Sequence, residues 1–162
     1  MAEYTKPEAR TVIQSRLDTM SKKDYLAYSK IVQQRAISLL NKLDSEIKLE
    51  AVLLYNAVKK WREVDLTSIN LSFKNVQFDC VPPDVNAAHP TTQYSAVFIP
   101  IYGFNVARYR LGHGNAWYDT FLAKQQNAIR IGIGYELSII DFENDPHDID
   151  MDIIITESRI IL

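Results

Sequence analysis

The chain has 162 residues and a formal net charge of −2, with 18 lysines and arginines against 20 aspartates and glutamates. Hydrophobic residues make up 47% and charged residues 23%, which excludes disordered and coiled-coil classes. No apolar run reaches the roughly 20 residues of a membrane span, and the polar N-terminus lacks a secretory signal. The faintly acidic balance argues against nucleic acid as a partner, and the single cysteine, Cys80, excludes a disulfide framework. We therefore expect a soluble, cytoplasmic, monomeric protein with one domain over residues 1–162.

Two amphipathic helices are predicted at the N-terminus. Thr5 and Glu8 have the spacing of a capping box, which predicts a helix to about residue 20. Ser21 precedes a second stretch, to about residue 44, in which apolar residues recur at helical spacing without glycine or proline.

Downstream, the pattern changes to short apolar or alternating stretches that are typical of strands. These stretches are residues 50–55, 76–80, 95–101, 128–135 and 151–155. Residues 66–73 and 116–126 have helical composition, and residues 82–94 are rich in turn formers. Alternating strands and helices predict an α/β fold, with a three-layer, mostly parallel sheet, helices on both faces and two helices at the N-terminus.

In such folds, ligands bind beyond the carboxyl ends of the strands. Three loops that follow predicted strands are therefore candidate sites: residues 56–65, 102–114 and 135–150.

The most unusual of these stretches is Arg110-Leu-Gly-His-Gly-Asn-Ala-Trp-Tyr-Asp119. Two glycines flank His113 before a predicted helix, where backbone N–H groups often bind phosphate. The stretch lacks the Lys-Ser/Thr of a Walker loop and the third glycine of a dinucleotide fingerprint. From spacing alone, a loop whose glycines only relieve backbone strain is as good an interpretation.

Two further clusters carry charge. Lys6 and Arg10 are four residues apart on the first helix, so they form either a phosphate clamp or a solvated basic face. The acidic run from residue 147 to 152 fails the EF-hand pattern, but Asp152 directly precedes an apolar strand and could bind magnesium. The other interpretation of that run is a solvated acidic surface.

Together these segments resemble the 5-formyltetrahydrofolate cyclo-ligase family. Its signature is Arg-Leu-Gly-aromatic-Gly-x-Gly-aromatic-Tyr-Asp after a strand that ends in proline, which here are Arg110–Asp119 and Phe98-Ile-Pro100. The resemblance continues in Gly132-Ile-Gly-Tyr135, Pro146-His-Asp148, Asp152 and Thr156-Glu157, and upstream in Lys6, Arg10, Tyr55 and Glu63-Val64.

The resemblance implies an enzyme that uses ATP and Mg²⁺ to close 5-formyltetrahydrofolate to 5,10-methenyltetrahydrofolate, with release of ADP and phosphate. It assigns ATP binding to Lys6, Arg10, Arg110, Gly112, His113, Gly114, Trp117 and Tyr118. It assigns folate binding to Tyr55, Glu63, His113, Asn115 and Trp117, and magnesium binding to Asp119 and Asp152.

The chain departs from the family pattern at Asn115 and Ala116, where the family has glycine or lysine and then glycine. If position 116 needs a positive φ, alanine there costs roughly 1–2 kcal/mol. Two alternatives therefore stay open: a non-catalytic relative that binds folate or nucleotide, and an ATP-dependent enzyme for another substrate.

Overall fold

The computed structural model describes residues 2–84 and 86–162. Within those residues the α-helices are α1 (Lys6–Asp18), α2 (Lys22–Ile47) and α3 (Trp117–Ala123). The strands are β1 (Ala51–Tyr55), β2 (Gln77–Val81), β3 (Ala96–Pro100), β4 (Gly103–Phe104), β5 (Arg110–Leu111), β6 (Ile129–Ile133), β7 (Ile153–Ile155) and β8 (Ile160–Ile161). Short 3-10 helices cover Lys59–Trp61, Thr67–Ser72 and Glu136–Ser138.

Within the described part of the chain, six strands form one sheet in the order β2-β1-β3-β6-β7-β8. Neighbouring strands are parallel except β7 and β8, which are antiparallel. The central pair is in register with Ala96 opposite Ile129 and Pro100 opposite Ile133. The prediction of a mostly parallel sheet is confirmed.

Helices cover both faces of this sheet, which confirms the predicted three layers. α1 and α2 pack on one face, where Ile13 and Leu40 meet the strand residue Phe98. α3 packs on the other face, where Phe121 meets Ile99. All five of these side chains are fully buried. Burial on both faces explains why the central strands read as continuous apolar runs.

The ends of the two long helices follow from their capping residues. The Thr5 side chain accepts a hydrogen bond from the Glu8 N–H, and the Glu8 carboxylate accepts one from the Thr5 N–H, so the predicted capping box is confirmed. α1 ends at Asp18, two residues earlier than expected. α2 begins after Ser21, as predicted, but continues to Ile47, because the residues after 44 contain no glycine or proline to stop it.

Three local predictions differ from the structure. The helix expected over residues 66–73 is a 3-10 helix, Thr67–Ser72, rather than an α-helix, and the expected loop 102–114 contains the antiparallel hairpin of β4 and β5. The edge strand β8 was not predicted. Strands of two residues are defined by their pairing partners, so too few side chains remain to show a period. No helix in residues 2–84 and 86–162 is long and apolar enough to cross a membrane.

Candidate active site

Two adjoining clefts lie beside the sheet, with open volumes of about 630 and 640 Å³. The apolar cleft has walls that include Tyr55, Trp61, Glu63, His113, Trp117 and Tyr118. The charged cleft is lined by Lys6, Arg10, Asp119, Asp145, Asp148 and the loop residues Gly112, Gly114 and Ala116, among others. Arg110 lines both clefts, so it stands between them.

The apolar cleft opens at the carboxyl ends of three neighbouring strands. Tyr55 ends β1, Val81 ends β2 and Pro100 ends β3, and all three residues line the cleft. This is the edge at which α/β sheets bind their ligands. The loops 56–65 and 102–114, which the sequence indicated, form much of its wall.

The two cations of α1 reach the same cleft, as their spacing of four residues predicted. The Lys6 Nζ lies 2.7 Å from an Asp145 carboxylate oxygen and 2.5 Å from an Asp148 oxygen. Burial lowers the pKa of Lys6, but the hydrogen bonds to the two aspartates outweigh it, and the net pKa is raised. The Arg10 Nε donates to the Gly112 carbonyl at 2.8 Å. Both side chains are therefore held as cations beside the glycine loop.

The guanidinium of Arg110 lies between the Tyr118 ring and the carboxyl end of β3. It stands over the Tyr118 ring at 5.1 Å and donates to the Pro100 carbonyl at 3.4 Å. Its Nε is buried and has no hydrogen-bond partner among the described residues. A Cβ at Gly112 would lie only 2.7 Å from an Arg110 nitrogen, so glycine at that position makes room for the guanidinium. Burial lowers the pKa of Arg110 while Asp119 raises it, and an arginine stays charged in such a setting.

The loop from Gly112 to Ala116 has a backbone that favours glycine. Gly114 has φ +97°, and Ala116 has φ +57°. Position 116 therefore has the left-handed conformation. Backbone strain is expected at Ala116 if its φ is positive, and the structure meets that condition. The Asn115 side chain accepts a hydrogen bond from the Trp117 N–H at 3.0 Å, which fixes the turn into α3.

His113 is stacked in the wall of the apolar cleft. Its ring centroid is 3.6 Å from that of Trp61 with 20° between the planes, and it is tilted against Tyr102 at 4.6 Å. Burial, followed by the charges of Arg110, Arg10 and Lys60, lowers the pKa of His113 to about 4, although part of the ring stays exposed. The imidazole is therefore neutral at neutral pH.

Glu63 is the acidic group of the apolar cleft. Its Oε2 accepts a hydrogen bond from the Val58 N–H at 2.6 Å. Burial raises the pKa of Glu63 to about 7, against the lowering effects of the Val58 hydrogen bond and the Arg110 charge. Tyr55 lies nearby, and its hydroxyl donates to the Val64 carbonyl at 2.8 Å. Glu63 therefore changes between neutral and charged forms near physiological pH.

The two carboxylates predicted to bind metal lie in different surroundings. Asp119 lines the charged cleft, where its Oδ1 accepts a hydrogen bond from the Ile149 N–H at 3.3 Å. Asp152 is not among the residues that line either cleft, and it binds Arg130 through the backbone N–H at 2.8 Å and through Nη2 at 3.0 Å. Possible ligand atoms of Asp145, His147 and Asp148 lie within 4.8 Å of one another, but Lys6 is bound to both of those aspartates.

The structure thus brings most of the predicted site residues to the two clefts. Their distribution between the clefts differs from the predicted division into ATP-binding and folate-binding residues. Asn115, Trp117 and Tyr118 line the apolar cleft, although Tyr118 was assigned to nucleotide alone and Trp117 to both ligands. Trp61 and the wall formed by residues 81–84 were missed. An aromatic residue in the predicted loop 56–65 was the signal that could have indicated Trp61.

The fold and these clefts define an α/β protein in which the charged cleft lies next to the apolar cleft. The model of the 5-formyltetrahydrofolate cyclo-ligase family matches residues 62–157. The chain belongs to the 5-formyltetrahydrofolate cyclo-ligase family.

Individual relatives agree with this assignment. A 5-formyltetrahydrofolate cyclo-ligase of Mycoplasma genitalium is 41% identical over 59 residues, which are 36% of each chain. The Mycoplasma pneumoniae enzyme of the same name is 36% identical over 78 residues, which are 48% of this chain and 47% of the relative. The matched regions thus span between about a third and a half of these curated relatives.

Solved structures resemble the chain over nearly all of its length. A 5,10-methenyltetrahydrofolate synthetase from Mycoplasma pneumoniae superposes with a TM-score of 0.78 at 25% identity, covering 95% of this chain and 99% of that one. The synthetase of Aquifex aeolicus has a TM-score of 0.66 at 24% identity, covering 96% and 91%, and supports the fold alone.

Proposed function

We propose that the chain is an ATP- and Mg²⁺-dependent 5-formyltetrahydrofolate cyclo-ligase. The observation that carries the proposal is the pair of adjoining clefts, with Arg110 common to both. The charged cleft combines Lys6 and Arg10 with three aspartates, and the apolar cleft combines aromatic rings with Glu63. A reaction that transfers a phosphoryl group from a nucleotide to a reduced folate needs two such sites side by side.

The charged cleft would bind the phosphates of ATP. Lys6, Arg10 and Arg110 supply three positive charges there, and arginine in particular suits phosphate oxygens. We propose that Gly112, Gly114 and their loop approach the nucleotide closely, because no side chain at these glycines stands in the way. Phosphate binding at Lys6 would compete with its ion pairs to Asp145 and Asp148.

The donor set of the charged cleft fits magnesium, which favours one or two carboxylates together with phosphate oxygens. We propose that Asp119, which lines that cleft, and Asp152, which lies outside its lining, hold the ion, a role for which Asp152 has to release Arg130. Bound Mg²⁺ supplies positive charge to the phosphate oxygens.

The apolar cleft would bind the reduced folate. Trp117 and His113 offer aromatic surface, and Asn115 and Tyr55 lie in the same wall. We propose that the ionised Glu63 carboxylate accepts hydrogen bonds from the N–H groups of the pterin edge.

The chemistry is a phosphoryl transfer followed by ring closure. The formyl oxygen attacks the γ-phosphorus of ATP, the bond to the β-phosphate oxygen breaks, and ADP leaves. N10 then attacks the activated formyl carbon, phosphate departs with the former formyl oxygen, and N10 loses its proton, which gives the 5,10-methenyl product. Arg110, which lines both clefts, would neutralise charge where the formyl oxygen meets the phosphate.

The test is to incubate the purified, folded protein with 5-formyltetrahydrofolate and Mg·ATP and to follow the absorbance of the methenyl product. We expect turnover, and we expect Arg10→Ala to lower it at least tenfold because a charged phosphate contact is lost. Lys22→Ala, an exposed cation on α2, is the matched control. Absence of product at high concentrations of folded protein would overturn the proposal.

A second candidate function rests on the strained Ala116 and on Asn115: a relative that binds folate or nucleotide without turnover. Calorimetry with each ligand separates the two functions, since this one predicts binding without product. If Asn115→Lys together with Ala116→Gly fails to raise turnover, the loop substitutions do not account for the inactivity.

A further inference from the structure

The stack of Trp61 on His113 joins two segments that lie far apart in the sequence. Trp61 ends the 3-10 helix Lys59–Trp61, in the loop that follows β1. His113 lies in the glycine loop, between β5 and α3. The separation of 3.6 Å and the angle of 20° are those of close ring-on-ring contact, rather than of two side chains that only line one cleft.

On the Trp61 side, the backbone is well anchored. The Trp61 N–H donates to the Val58 carbonyl at 3.1 Å, and the Val58 N–H donates to the Glu63 carboxylate at 2.6 Å. The Tyr25 hydroxyl, from α2, donates to the Glu63 carbonyl at 2.8 Å. The indole is therefore presented from a segment that is tied to the body of the protein.

On the other side, the glycine loop is exposed from residue 113 to residue 116. Arg10 holds its beginning through the Gly112 carbonyl, and Asn115 holds the turn into α3. Between those two contacts, the backbone contains the left-handed Gly114, and the His113 ring is the side chain that packs against another segment.

We propose that Trp61 is a positioning residue, whose indole holds His113 and through it the glycine loop in place to bind the phosphates of a nucleoside triphosphate. The inference rests on the proposed function, because it takes the charged cleft as the nucleotide site. Trp61 itself lines the apolar cleft, so its effect on nucleotide passes through His113.

The electrostatics of the site suit this arrangement. Burial, followed by the charges of Arg110, Arg10 and Lys60, lowers the pKa of His113 and keeps its ring neutral. A neutral imidazole stacks on indole without the cost of burying a charge, and it leaves the phosphate charge to the two arginines.

The experiment measures Mg·ATP affinity by calorimetry in the absence of folate, for the wild type and for Trp61→Ala, Trp61→Leu and Trp61→Phe. We expect Trp61→Ala and Trp61→Leu to weaken the affinity roughly two- to tenfold, the range of a lost aromatic pair, and Trp61→Phe to keep most of it. Leu71→Ala, at an exposed apolar residue in a neighbouring 3-10 helix, is the control. Trp61→Leu keeps an apolar side chain, so it also serves if the alanine variant does not fold.

A double-mutant cycle adds the decisive comparison. If Trp61 acts through His113, the losses for Trp61→Leu and His113→Leu are not additive in the double variant. Additive losses would overturn the inference. A Trp61→Leu variant that changes the KM for folate but not the Mg·ATP affinity would overturn it as well, because Trp61 would then only line the apolar cleft.

The outcomes also separate the inference from the proposed function. Nucleotide binding with non-additive losses but without turnover overturns the cyclo-ligase function and supports the role of Trp61. Turnover with additive losses supports the cyclo-ligase function and overturns the role of Trp61. A wild-type protein that binds no Mg·ATP overturns both.

Discussion

At the scale of single residues, Ala116 is the costly position of the glycine loop. Its φ of +57° lies in the left-handed region, where the Cβ of alanine crowds the following carbonyl. The residue also precedes α3 without providing a side-chain cap. The chain therefore keeps a strained residue at the border of the charged cleft.

Replacing Ala116 with glycine is expected to raise the free energy of unfolding by about 1 kcal/mol, because glycine adopts this φ without the Cβ clash. Denaturant unfolding measures the change. The matched control is Ala123→Gly at the other end of α3, which is expected to lower stability by roughly 0.5–1 kcal/mol. A lower or unchanged stability for Ala116→Gly would show that position 116 is not strained.

A methyl group at Gly112 is expected to displace Arg110, since the new Cβ would lie 2.7 and 2.8 Å from two guanidinium nitrogens. Steady-state kinetics of Gly112→Ala should show kcat/KM for ATP lowered roughly tenfold or more. Gly134→Ala is the control, because its nearest neighbours lie 3.5 Å or more from the added Cβ. Equal kinetics for the two variants would mean that the position of Arg110 does not matter.

Side chains of single elements could be placed from the sequence, but contacts between loops could not. The spacing of Lys6 and Arg10 was enough to put both on one side of α1, because helix geometry is local, but that this side lines the charged cleft comes from the structure. The stack of Trp61 on His113 depends on how two distant loops fold over the sheet, which no local pattern encodes. Asp152 was placed by the same local reasoning, and the structure puts it beside Arg130.

At the scale of elements, α1 serves both the core and the charged cleft. Its buried face, with Ile13 and Leu17, fixes the helix on the sheet, while its first turns carry Lys6 and Arg10. The capping box thus lies directly beside a residue proposed to bind phosphate.

Removing that cap by Thr5→Ala is expected to lower the free energy of unfolding by about 1 kcal/mol. It should also raise the KM for ATP, because the fraying first turn contains Lys6. The control is Ser21→Ala, which removes the cap of α2. None of the described residues of α2 lines a cleft, so this variant should lose similar stability while its KM for ATP stays unchanged. If both variants changed the KM alike, the effect would come from general destabilisation.

The elements differ in how far the sequence could predict them. The long helices and the five longer strands follow from caps and apolar runs, because many side chains contribute to each pattern. The hairpin of β4 and β5 and the edge strand β8 are defined by their pairing, such as Ile154 opposite Ile161, and strands of two residues are too short to show a period. Their positions had to come from the structure.

At the scale of the whole molecule, the raised pKa of Glu63 makes stability depend on pH. In the unfolded chain this carboxyl ionises near its ordinary pKa of 4.5, whereas in the folded protein it ionises near 7. Between those values, the folded state keeps a proton that the unfolded state has lost. The free energy of unfolding therefore falls as the pH rises from about 4.5 to 7.

Glu63→Gln removes this ionisation. We therefore expect the free energy of unfolding of the variant, relative to that of the wild type, to be roughly 2–3 kcal/mol higher at pH 8 than at pH 4. Denaturant unfolding at the two pH values measures the difference. A stability difference between variant and wild type that is the same at both pH values would show that burial does not hold the proton on Glu63.

The ion pairs of Lys6 with Asp145 and Asp148 join the first helix to a segment near the other end of the chain. During synthesis, the charged cleft therefore stays incomplete until Asp148 has left the ribosome tunnel. We expect ligand-induced protection from proteases to appear in a nascent chain only after that residue has emerged. A chain that stops before residue 145 would contain β1, β2, β3 and β6 of the large sheet, but it would lack β7, β8 and one side of the proposed phosphate site.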